Sequence, residues 1–166
     1  MNHMGKQENS ERLKAQQDIA QNRQAWHEYE VLDTFEAGIV LQGTEVKSLR
    51  AHRVSLADAY GMIKNNELFL MQCHINEYTH GSYFNHTPLR PRTLLVHKAE
   101  LRKLWDRVTT QGQTLVPLKM YFKRGKAKVL MALVRGKLKY DKRASIKQRE
   151  DKMAMERARR ERDRGE

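Results

Sequence analysis

The chain has 166 residues, with 32 Lys or Arg against 20 Asp or Glu, a net charge of +12 and a pI near 10.0. That length predicts one domain with extensions, and that excess of positive charge points to a nucleic acid ahead of an anionic membrane surface. The lone cysteine, Cys73, excludes an internal disulfide, and no run approaches the roughly eighteen apolar residues of a membrane span.

Residues 1–21 carry three basic and three acidic groups and lack the apolar segment of a secretory signal. They read as a polar extension, unstructured or helical from about Ser10 to Ala20. With a thiol that packs as a small hydrophobe, they suit a cytoplasmic protein. Order is expected from Asn22, and a barrel domain over 22–134. Trp26, Tyr29, Val31, Phe35, Ile39 and Val40 predict a strand from Trp26 to Leu41, with Gly38 at a bend or bulge. Gly43 to Arg50 changes period to a short helix capped by Thr44, burying Val46 and Leu49 and exposing Glu45, Lys47 and Arg50.

Ser55 to Asp58 is a connector. Tyr60–Lys64 and Leu68–Ile75 predict a hairpin closed at Asn65-Asn66, residues that tolerate positive φ. His80 to Arg92, with Pro88 and Pro91, is a loop, and Thr93 to Val96 a short strand. Leu101, Leu104, Trp105 and Val108 predict a helix over Lys98–Thr110 closed by Gly112, with Trp105 in the core. Two alternating strands follow, turning at Arg124-Gly125. Leu118, Met120 and Phe122 share a face on the first, and Ala127, Val129, Met131 and Leu133 on the second. Lys119, Tyr121, Lys123, Lys126 and Lys128 lie opposite. About six strands with one packed helix favour a small closed antiparallel barrel, although period alone also fits a sandwich.

No catalytic constellation emerges, and an enzyme is not expected. His74, His80 and His86 recur every six residues, a spacing without metal precedent and without a cysteine pair, so no metal or other cofactor is predicted. No phosphate loop or nucleophile elbow is present. Glu36 and Glu45 are candidate paired carboxylates, but acids within a basic surface more often orient arginines or accept from base amino groups. Tyr29, Tyr83 and Tyr121 read as structural before base-stacking.

The last 32 residues, Arg135 to Glu166, hold thirteen basic and seven acidic groups. Glu156 and Arg160 are correctly ordered i, i+4 partners, and Ile146 and Met153 form a thin apolar stripe. Such a segment is predicted to be disordered when free and helical in a polyanionic groove. A solubility tail is the plainer alternative.

Phe35-Glu36-Ala37-Gly38-Ile39-Val40-Leu41-Gln42-Gly43-Thr44-Glu45-Val46-Lys47-Ser48-Leu49-Arg50-Ala51 resembles the signature of the small protein B family, the SsrA-binding proteins of bacterial trans-translation. Pro88-Leu89-Arg90-Pro91-Arg92, Leu115-Val116-Pro117-Leu118, Gly136-Lys137 and Tyr140-Asp141-Lys142-Arg143 follow in the family's order, and the resemblance covers about Asn22 to Glu150. It implies an OB-fold-like barrel with flanking helices. It also implies binding to the tRNA-like domain of tmRNA and delivery to stalled 70S ribosomes. The tail would enter the empty mRNA channel beside small-subunit rRNA, and the nascent peptide would be tagged.

On this resemblance Asn22, Tyr29 and Glu36 fall at tmRNA-binding positions, and Glu45, Lys47 and Arg50 lie in the same signature. Lys126 and Lys128 complete the expected RNA surface. Lys137, Lys139, Tyr140, Asp141, Lys142 and Arg143 are expected at the decoding centre. The protein is expected to act as a monomer on RNA, away from membranes.

Overall fold

Alternation of apolar and polar residues along the two longest strands sets the architecture of the computed structural model, which describes residues 16–80, 84–136 and 139–164. The chain divides between Arg135 and Gly136 into two compact units. In the first, the elements run β1 (Gln16–Gln21), α1 (Arg23–Glu28), β2 (Tyr29–Ile39), α2 (Gly43–Arg50), β3 (Val54–Ser55), β4 (Tyr60–Lys64), β5 (Glu67–Met71), β6 (His74–Ile75), β7 (Arg92–Leu95), α3 (Lys98–Gln111), β8 (Thr114–Lys123) and β9 (Lys126–Gly136). The order β1-β8-β4-β5-β7-β2-β9, with β9 also paired to β8, closes β8, β4, β5, β7, β2 and β9 into a ring of six. This is the closed barrel predicted. It is filled by Leu49, Leu68, Leu70, Ile75, Leu115, Met120, Val129, Met131 and Leu133.

Several expectations are corrected. Gln16–Gln21 is not helical: it is a strand lying on the C-terminal half of β8, with Asp18 opposite Tyr121. One buried side chain, Ile19, anchors it in the core, a signal too short for period analysis to register. Trp26 does not open a strand, because Asn22 caps α1 by accepting the Ala25 N–H at 3.3 Å, so β2 begins three residues later. Gly38 pairs with Leu95 of β7 with no register shift between these strands. The predicted strand Leu68–Ile75 is broken at Gln72, whose φ of 55° turns the chain between β5 and β6.

A bulge in β8 between Pro117 and Lys119 shifts the register against β9. Leu118 therefore does not share the face of Met120 and Phe122. It joins Val116, Ala132, Val134 and Ala25 in a separate cluster, against which Tyr29 and Val31 of β2 also pack. An extra residue in one strand reverses the alternation beyond it, and Pro117, which has no N–H to give a ladder, marks the position. Trp105 is 48% exposed, whereas Leu104 beside it is buried. Successive helical residues point about 100° apart, so the core-facing line of α3 is Leu101, Leu104 and Val108, and Trp105 rotates to the rim.

Other features follow the sequence. Asn65 and Asn66 close the β4–β5 hairpin with φ of 51° and 58°, as a two-residue turn of this hand requires. Gly112, at φ 64°, ends α3. Gly61 lets β4 press on β8: a Cβ there would stand 2.8 Å from Leu115 Cβ and 3.0 Å from Met131 Cε.

The second unit is dominated by α4 (Lys139–Arg164). The sequence predicts a tail that is helical in a polyanionic groove, and the structure shows these residues as a helix. The cause is local, since no Gly or Pro interrupts these residues and most are good helix formers. Its side chains from Ile146 to Arg162 are exposed. No described helix is long and apolar enough to cross a membrane.

Candidate nucleic-acid interface

Antiparallel pairing places opposite residues on one face. Lys123 faces Lys126, Tyr121 faces Lys128, and Asp18 of β1 faces Tyr121. Lys119, Tyr121, Lys123, Lys126 and Lys128 thus share the outer face of the barrel, where β2 adds Glu36. The Tyr121 hydroxyl donates to Glu36 Oε2, and Lys123 Nζ lies 3.4 Å from the same oxygen. This hydroxyl holds the Glu36 carboxyl below its ordinary 4.5, with Lys123 and Lys128 assisting against the effect of burial. Burial, and then the Glu36 carboxylate, push the Tyr121 phenol well above its usual range. Lys119 Nζ sits 5.2 Å from the Tyr121 ring centroid and 3.9 Å from Asp18. One carboxylate is therefore fixed as an acceptor amid lysines able to meet phosphates.

Asn22 and Tyr29 lie at the two ends of α1. Asn22 is buried: its Nδ2 donates to Leu56 O at 3.2 Å and Pro117 O at 3.0 Å, and its N–H to Leu118 O at 2.7 Å. It ties α1 to the β8 bulge and to the segment before β4. Tyr29 is half-buried and lines a hollow of about 380 Å³ with Asn22, Gln24, Asp58 and Tyr60. Its position among core residues agrees with the structural reading of the tyrosine, and its place on the hollow leaves an edge toward solvent.

Glu45 overturns the expectation that it is exposed. Gln42, not Thr44, is the N-cap of α2, and its N–H donates to Glu45 Oε1 at 2.9 Å. Glu45 is fully buried, bonded by Arg90 to one oxygen and by Arg92 to the other. Burial alone would raise its pKa; Arg90, the Gln42 N–H and Arg92 outweigh that and hold it below 4.5. Arg92 also donates to Cys73 O at 2.5 Å and Pro88 O at 3.1 Å. Thr44 instead pairs with His86, whose Nε2 donates to Ile75 O at 2.9 Å; that carbonyl can only accept. Together these bonds lock α2 to the loop before β7. Outside this lock, Lys47 and Arg50 are exposed, Lys47 Nζ standing 5.4 Å from the Tyr78 ring.

Glu36 and Glu45 are thus not a pair, since one serves the outer sheet face and the other a buried junction. Among the described residues no group of three His, Cys, Asp or Glu is placed to hold a metal. Cys73 is buried and its thiol is pushed up to about 11 by burial, which keeps it protonated. Lys139, Tyr140, Asp141, Lys142 and Arg143 form the first turns of α4; Lys137 and Tyr83 lie outside the described residues. At the end of the barrel, Arg135 grips Glu30 through two bonds of 2.7 and 3.1 Å.

Sequence reasoning missed the roles of Arg90 and Arg92, which it placed in a loop. Two arginines around a proline, with an acid in the first turn of a helix elsewhere, were the available signal. It also missed the contact between Tyr121 and Glu36, 85 positions apart, for which only strand register gives a clue.

The model of the family described as SmpB protein matches residues 19–161. An SsrA-binding protein of Limosilactobacillus reuteri (strain DSM 20016) is 54% identical over 151 residues, covering 91% of this chain and 93% of that protein. One from Thermobifida fusca (strain YX) is 52% identical over 159 residues, covering 96% and 99%. One from Trichodesmium erythraeum (strain IMS101) is 56% identical over 144 residues, covering 86% and 92%. A solved chain described as "tmRNA-SmpB: a journey to the center of the bacterial ribosome" superposes with a TM-score of 0.61 at 52% identity, over 72% of this chain and 85% of that one.

Proposed function

The chain belongs to the SmpB family, and from that premise we propose that it is a cytoplasmic, non-enzymatic RNA-binding factor of trans-translation. Its barrel binds the tRNA-like domain of tmRNA, and its C-terminal helix probes the mRNA channel of a stalled ribosome. The observation that carries this reading is the division of positive charge between a rigid sheet face and a separate exposed helix. The outer face, with Lys123, Lys126 and Lys128 around the fixed acceptor Glu36, suits folded RNA. An A-form helix offers phosphates and 2′-hydroxyls in its shallow groove and hides its base edges. The lysines meet phosphates, and the Glu36 carboxylate accepts from a hydroxyl or a base amino group.

Asn22 shapes this surface from within, and Tyr29 offers its ring edge from the adjoining hollow. Glu45 acts by holding α2, so that Lys47 and Arg50 stand in fixed positions.

The C-terminal helix has 26 residues, about 39 Å if straight. A helix with so little apolar surface is marginal alone, and a channel lined by phosphates stabilises it most when no mRNA competes. Lys137, Lys139, Tyr140, Asp141, Lys142 and Arg143 then meet small-subunit rRNA at the decoding centre.

The test separates the two units. A chain ending at Arg135 keeps tmRNA affinity within a few-fold and loses peptide tagging on stalled ribosomes. Glu36→Ala weakens tmRNA binding without unfolding the barrel. Normal tagging by the truncated chain would overturn the proposal.

A further inference from the structure

A cleft of about 660 Å³ opens between α3 and the β4–β5 hairpin and is lined by none of the residues assigned above to RNA. Its helical wall carries Lys98, Arg102 and Trp105. These stand at i, i+4 and i+7, in one line along the helix. Trp105 is the large aromatic that sequence periodicity placed in the core and the structure leaves 48% exposed. The opposite wall is the turn of Asn65 and Asn66, held in one shape by its two positive φ angles. The cleft is built from an apolar ring, two cations and amide groups on two elements, with Ile63 and Leu101 also lining it. A site for a greasy protein segment would not carry two cations along one wall. The volume lies in the range of ligand sites, about 300–1,000 Å³.

We infer that this cleft binds a nucleotide of single-stranded RNA, with Trp105 stacking on the base and Lys98 and Arg102 meeting the flanking phosphates. An aromatic platform beside a cationic track is how single strands are held without sequence preference. Asp106 also lines the cleft. A phosphate avoids that carboxylate, whereas a base amino group or a ribose hydroxyl donates to it, so it favours the nucleoside side of the ligand over a bare anion. The inference rests on the reading that the protein works on RNA, but it shares no residue with the outer face. It gives the factor a second grip, on an unpaired strand beside the folded domain it carries.

The chain has two tryptophans, Trp26 and Trp105. In a Trp26→Phe protein, short oligoadenylate should quench Trp105 emission in a saturable way. With labelled oligoadenylate, Trp105→Leu should weaken binding on the order of ten- to a hundredfold, as loss of base–aromatic stacking does. Arg102→Ala should lower the salt slope by about 1. Glu36→Ala should leave oligoadenylate binding unchanged while weakening folded tRNA-like RNA. Trp26→Phe protein that binds folded RNA but shows no Trp105 quenching refutes this inference, whereas wild-type protein that fails on folded tRNA-like RNA refutes the proposed function. Equal quenching by an oligoglutamate peptide assigns the cleft to an acidic protein partner and also overturns it.

Discussion

Glu36 and Glu45 are nine residues apart in one sequence motif, yet the fold sends them to opposite tasks. Glu45 has no exposed surface and its oxygens are committed to Arg90, Arg92 and the Gln42 N–H. The Glu36 side chain stays 35% exposed, held by Tyr121 and approached by Lys123. A charge sealed on all sides serves only to fix its neighbours, and one left partly open can meet a ligand. Proximity in a motif therefore does not imply a shared role.

The largest test of this contrast is removal of each carboxylate. Glu45→Ala leaves Arg92 buried without its counter-charge, and breaking a buried pair in this way costs about 3–5 kcal/mol. The urea midpoint should fall accordingly. Glu36→Ala should move it by less than about 1 kcal/mol, the scale of exposed pairs. Equal losses in the two variants would erase the distinction.

Asn22 sharpens the comparison, because it combines a position at the proposed interface with burial. Asn22→Ala removes the cap of α1 and the Nδ2 donor to the Leu56 and Pro117 carbonyls, of which Leu56 O keeps the Ala59 N–H at 3.1 Å; a lost cap or an unmet buried group costs about 1–3 kcal/mol. Stability should drop by that order and RNA affinity with it. Affinity lost at unchanged stability would instead make Asn22 a direct contact.

Acid separates the two carboxylates again. Both are held below 4.5 in the folded protein. A depressed folded value contributes stability that is fully present above the unfolded value and disappears as pH falls through the folded one. The unfolding midpoint should therefore be flat from neutral pH down to about 5 and should drop below 4.5. Glu45→Gln should flatten that acid limb, and Glu36→Gln should flatten it less, because solvent screens the partly exposed group.

How much of this was readable beforehand depended on range. Most single strands, the Asn65-Asn66 turn and the Gly112 cap were legible because each is written in a few adjacent residues. The β8 bulge was passed over although Pro117 signals it, because which residue is left unpaired depends on how β8 and β9 settle against each other. Trp105 was misplaced because its helical stripe is one residue wider than the face the barrel covers. At the site, the lysine face followed from alternation alone, whereas the burial of Glu45 required knowing that Arg90, just before β7, and Arg92, at its start, pack against α2. In both cases the sequence was silent where a side chain's environment is supplied by a distant segment.

The smallest expected effect concerns Lys128, which lies opposite Tyr121 on the outer face and assists in holding Glu36 ionised. A Cβ on Gly38 would lie 3.7 Å from its Nζ, so the amine lies over β2. Away from any buried network, Lys128→Ala should change stability by no more than about 0.5 kcal/mol. If the amine meets a phosphate, tmRNA affinity should fall modestly, equally for any folded RNA of the same shape, and the salt slope should shrink by about 1. If it serves only Glu36, the slope should stay fixed, and Lys128→Ala should cost nothing further in a Glu36→Ala background. The double variant separates these cases, because a phosphate contact survives loss of the carboxylate and a contact with Glu36 does not.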